Sequence, residues 1–117
     1  MQVRLMQEHV YRQQRKKPTA PSTLQRVADV LLERVDDPGR VCRATVGGRP
    51  YAAVAVCADT YADVWKPEQT GAWRGWRYEL DEHGQPASPI DELGDLAAQA
   101  PPESLAERIL RRLGDTP

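Results

Sequence analysis

The sequence predicts an α+β domain. A small three-stranded antiparallel sheet spans about 40–46, 51–58 and 73–81, and helices over about 22–35 and 102–113 cover it. Three observations lead there. Apolar residues recur at helical spacing in two separate segments. Between them the period changes from 3.6 to 2, around a turn at Gly47-Gly48-Arg49-Pro50. The strands also run together instead of alternating with helices, which favours α+β over α/β. At 117 residues the chain suits a single domain, 1–117, large enough for a modest core without disulfides or metal.

The elements follow in order. In MQVRLMQEHVYRQQRKK, Val3, Met6 and Val10 have helical spacing, and the stripe fades after Tyr11. This predicts a weak N-terminal helix, with residues 1–21 read as a basic arm. Pro18 and Pro21 break the chain into an extended connector. Ser22-Thr23-Leu24-Gln25 has the form of a capping box. Leu24, Val27, Ala28, Leu31 and Val35 then form one helical face, and Asp36-Asp37-Pro38-Gly39 ends it.

The two strands that follow form a hairpin in which Val46 faces Tyr51 and Cys42 faces Ala55. Residues 58–71 read as a linker. In WRGWRYELD, Trp76, Tyr78 and Leu80 share one side and are expected to point inward, leaving Trp73 and Arg77 outside. Ser88-Pro89-Ile90-Asp91 resembles a helix start, so a short helix is expected over about 89–99. Leu105, Ala106, Ile109, Leu110 and Leu113 give the last helix its stripe, with Glu107 and Arg111 at i, i+4.

Composition narrows the function. Phe and Asn are absent, and Arg outnumbers Lys thirteen to three, the bias of GC-rich bacterial coding. Arginine richness is therefore no phosphate signal by itself. The net charge of -1 excludes a uniformly basic nucleic-acid binder. The charge is nevertheless polarised: residues 1–17 carry a net +4 and residues 79–117 a net -6. No apolar run is long enough for a membrane span, and the start has no signal-peptide h-region, so a cytoplasmic protein is expected.

No GxGxxG, GxxxxGK[ST], GxSxG or HExxH pattern occurs. His9, His83, Cys42 and Cys57 match no metal-module spacing, so neither metal nor cofactor is expected. The hairpin register sets Cys42 and Cys57 diagonally on one face, which disfavours a disulfide and predicts two reduced thiols. Six of the seven aromatic residues lie between 51 and 78.

Trp73, Arg74 and Arg77 combine the residue types common at binding hot spots. The leading expectation is a non-catalytic regulatory module that binds a protein partner, or a second copy of itself, through these three residues. One alternative is a nucleic-acid-binding regulator using Arg12, Arg15, Lys16 and Lys17. Another is a small enzyme of unfamiliar type, with acids drawn from Asp59, Asp63, Asp81 or Glu82.

Overall fold

The computed structural model describes residues 3–8, 10–11, 23–47, 49–69, 71–96 and 100–114. It contains six strands and two long helices: β1 (Val3–Gln7), α1 (Thr23–Arg34), β2 (Val41–Val46), β3 (Arg49–Cys57), β4 (Tyr61–Pro67), β5 (Trp73–Leu80), β6 (Pro86–Leu96) and α2 (Pro102–Gly114). A 3-10 turn at Pro38–Arg40 links α1 to β2. The strands form one antiparallel sheet in the order β1-β2-β3-β4-β5-β6. The expected three-stranded sheet is thus corrected to six strands, while α1, α2 and the central strands fall where their periodicity puts them.

Each extra strand has a local cause. The first segment divides: Val3–Gln7 reads equally well with a period of two and pairs with β2 over Val3↔Val46 to Gln7↔Cys42 as a strand, whereas Glu8, Val10 and Tyr11 are helical, and 12–17 of the expected helix lie outside the described residues. The supposed linker contains YADVWKP, whose alternation satisfies both β3 and β5 as β4. In place of the helix expected over about 89–99, residues 89–96 belong to β6, and 97–99 lie outside the described residues. Gly94 sits at φ +82°, outside helical space, and β6 follows β5 through three register shifts. In the hairpin, Cys42 does face Ala55, but a shift between Arg43 and Thr45 places Val46 opposite Arg49 instead of Tyr51.

One face of the sheet packs against both helices. Val41, Val54, Val56, Trp65, Trp73, Leu93 and Leu96 meet Val27, Ala28 and Leu31 of α1 and Leu105, Ala106 and Ile109 of α2. Gly75 is a packing requirement here: a Cβ built on it would lie 2.6 Å from the buried Trp65 ring. The inward/outward assignment on β5 is therefore reversed. Trp73 and Arg77 point toward the helices, and Trp76 and Tyr78 lie on the other face, half-buried.

Among the described residues neither α1 nor α2 packs on that other face, yet Ala44, Ala53, Ala55, Ala62 and Val64 are all at most 1% exposed. The curl of the sheet itself accounts for their burial. Small side chains in the middle strands let the sheet roll up, and Val3, Leu5, Tyr51, Cys57 and Tyr78 close over them. The Gln85 side chain ties the two edges of the roll together. The Leu5 N–H donates to Gln85 Oε1 at 2.7 Å, and Gln85 Nε2 donates to the Leu5 carbonyl at 3.2 Å. The carboxamide thereby satisfies both backbone groups of Leu5, as a neighbouring strand would.

Candidate functional site

Burial decides the fate of the predicted contact residues. Trp73 is 2% exposed, opposite Leu96 and within the helix-side core. Arg77 is 5% exposed and forks onto Asp63, with Nε to Oδ1 at 2.7 Å and Nη2 to Oδ2 at 3.0 Å. It also donates to the Arg112 carbonyl at 2.8 Å and lies 4.3 Å from the centre of the Tyr61 ring. Tyr61 Oη donates to the Leu113 carbonyl at 2.6 Å. The last carbonyls of a helix lack partners within it, and a cation there is favoured. Arg77 and Tyr61 thus fasten the C-terminus of α2 to the sheet. Asp63 raises the pKa of the Arg77 guanidinium further, which keeps its charge secure.

A second buried cation anchors α1. Arg43 donates from Nε to Glu8 Oε2 at 2.9 Å and from Nη2 to Gln25 Oε1 at 2.6 Å. Gln25 Nε2 donates in turn to Glu8 Oε1 at 3.1 Å and Asp29 Oδ1 at 3.1 Å, and Arg43 lies 4.9 Å from the centre of the Tyr11 ring. The Gln25 carboxamide thus joins a network across the helix–sheet boundary, and Ser22, its partner in the expected capping box, lies outside the described residues.

Arg74 is the one predicted contact residue that stays exposed. It pairs with Glu92 at 3.1 Å and Asp95 at 3.8 Å, and lies 5.8 Å from the centre of the Trp76 ring. Across the same end of the sheet, Lys66 Nζ lies 4.7 Å from the centre of the half-buried Tyr51 ring. Burial pushes the Tyr78 phenol pKa up, and Tyr51 adds to the effect. Beside this rim is an open hollow of about 630 Å³ lined by Lys66, Glu68, Arg74 and Asp95 among others. Sequence reading missed this rim because it placed Trp76 and Tyr78 in the core. The alternation of residues 61–67 was the available signal: with that stretch read as a strand, Asp63 becomes a partner for Arg77.

The remaining candidates are scattered. Arg12, Arg15, Lys16, Lys17 and His9 lie outside the described residues. Asp59 is exposed near Arg40, and Glu82 is exposed near His83. Asp81 accepts from the His83 N–H at 2.8 Å and the Gln85 N–H at 3.0 Å, shaping the turn that carries Gln85. Among the described residues no three His, Cys, Asp or Glu side chains converge to hold a metal, and no helix is long and apolar enough to cross a membrane. The fold and the rim together define a rolled six-stranded antiparallel sheet backed by two helices, with aromatic rings and charges of both signs at one end. Comparison with protein-family models, curated proteins and solved structures returns no match.

Proposed function

We propose that the chain is a non-catalytic regulatory module that engages a protein partner through the rim formed by Tyr51, Lys66, Arg74 and Trp76. One observation carries this reading: two aromatic rings, each beside a cation, stand together at one end of the sheet, on the face opposite α1 and α2. Aromatic and arginine side chains are the usual anchors of protein interfaces. The charge on the rim is mixed, since Glu92 and Asp95 neutralise Arg74. That mixture favours a protein surface over a polyphosphate, which rewards uncompensated cations.

The test compares wild type with Trp76→Ala and Arg74→Ala in affinity capture and analytical ultracentrifugation, with circular dichroism as a check on folding. Both side chains are partly solvent-facing, so the fold should survive. Loss of a captured partner or of self-association in both variants is the expected result. Unchanged association in folded variants overturns the rim. Salt-sensitive binding of oligonucleotides would favour the basic segment at 12–17 instead.

A further inference from the structure

Two thiols meet at the opposite end of the rolled sheet. Cys42 Sγ and Cys57 Sγ are 3.9 Å apart and unbonded. The register makes them diagonal neighbours, with Cys42 opposite Ala55. Both line a hollow of about 410 Å³, together with Leu5, Leu80, His83 and Gln85. A cavity of that size falls within the range of small-ligand sites.

The two sulfurs have different surroundings. Cys42 is 5% exposed, and its S–H faces three acceptors: Cys57 Sγ, the Gly39 carbonyl at 3.9 Å and the Arg40 carbonyl at 4.0 Å. Cys57 is half-buried, and the Arg40 guanidinium is drawn to it, with Nη1 donating to the Cys57 carbonyl at 3.1 Å. A nearby cation and a donated hydrogen bond both favour a thiolate. The Cys42 hydrogen bond, with Arg40 assisting, holds the Cys57 thiol below its usual value against the opposing effect of burial. The same bond and burial drive Cys42 upward. Cys57, the more exposed of the two and the one beside the Arg40 guanidinium, is by its position the nucleophile, and the buried Cys42 stands behind it.

We infer that Cys57 and Cys42 form a thiol–disulfide exchange site for low-molecular-weight disulfides of the oxidised-glutathione class. The Cys57 thiolate attacks one sulfur of the disulfide RSSR. A Cys57–SR bond forms, the RS–SR bond breaks, and its electron pair leaves on RS⁻, which takes up a proton. Cys42 then gives up its proton, and its thiolate attacks Cys57 Sγ. The Cys57–SR bond breaks and a second RS⁻ leaves and is protonated. Two protein thiols are oxidised to one disulfide while RSSR is reduced to two RSH.

Closing the bond brings the sulfurs roughly 1.9 Å nearer, to the S–S length of about 2.05 Å. Cys57 ends β3 and Cys42 is the second residue of β2, so the movement falls at ladder ends. Thiol–disulfide exchange runs in either direction, so an excess of reduced thiol restores both cysteines.

The test incubates reduced protein with oxidised glutathione, quenches with an alkylating agent and reads intact and peptide masses. Wild type should lose both alkylatable thiols and retain no glutathione. Cys42→Ser should keep one glutathione on residue 57, and Cys57→Ser should stay unmodified. Three results each overturn the inference: wild type that keeps both thiols, Cys42→Ser without an adduct, or Cys57→Ser that reacts like wild type. Should a variant fail to fold, brief exposure of wild type followed by peptide mapping decides. First modification at Cys57 supports the site, and first modification at Cys42 overturns it.

Discussion

Arg77 illustrates how one contact reverses the role of a residue. On β5 alone it is a charge that belongs outside. Beside Asp63, its direct neighbour across β4, it becomes a buried fork that also holds the end of α2. Removing one member of a buried pair leaves an uncompensated charge, which costs about 3–5 kcal/mol. Asp63→Ala should therefore lower the unfolding free energy by about that amount in urea titrations. The double variant Asp63→Leu/Arg77→Met should recover most of the loss, since no charge is then stranded. A single Asp63→Ala indistinguishable from wild type would show that the pair does not hold α2.

Among the elements, the corner between β5 and β6 joins the two edges of the sheet. Asp81 organises it by accepting from the Gln85 and His83 backbone N–H groups, and Gln85 then reaches Leu5 on β1. The hydrogen bond from Gln85, supported by that from His83, holds the Asp81 carboxyl below its ordinary value of 3.8. A carboxylate depressed in the folded state stabilises that state fully above the unfolded value, and the contribution is lost as pH falls through the lower folded value. Acidification below 3.8 should therefore loosen this corner. The Leu5 amide should exchange with solvent faster, relative to amides in β3 and β4, as pH drops through that window, after correction for intrinsic rates. Asp81→Asn should abolish that differential; if it persists, the corner is not held by this carboxylate.

For the whole molecule, the two apolar clusters lie on opposite faces of the same strands, so neither can come apart without disturbing the other. Unfolding should thus be one cooperative transition. Trp65 and Trp73 report on the helix side of the sheet, and far-ultraviolet circular dichroism reports on the strands. The two signals should coincide through a denaturant titration. Separate midpoints would mean that the helices detach first and that the rolled sheet stands by itself.

Both long helices and the central strands were legible in the sequence because their apolar spacing is strong and local: Leu24 to Val35 and Leu105 to Leu113 admit only a helix. Residues 3–7, 61–67 and 86–96 carry short or ambiguous patterns, and pairing with a neighbouring strand settled each. The facing of β5 was likewise hidden, because Trp-Arg-Gly-Trp-Arg-Tyr has rings on both sides and only Asp63 and α2 choose between them. By itself the sequence determined the two long helices and the presence of the β2–β3 hairpin, since those depend on near neighbours in the chain. The tertiary structure alone decided which rings are core, which are rim, and that two thiols fifteen residues apart touch, because burial and charge pairing come from groups distant in sequence.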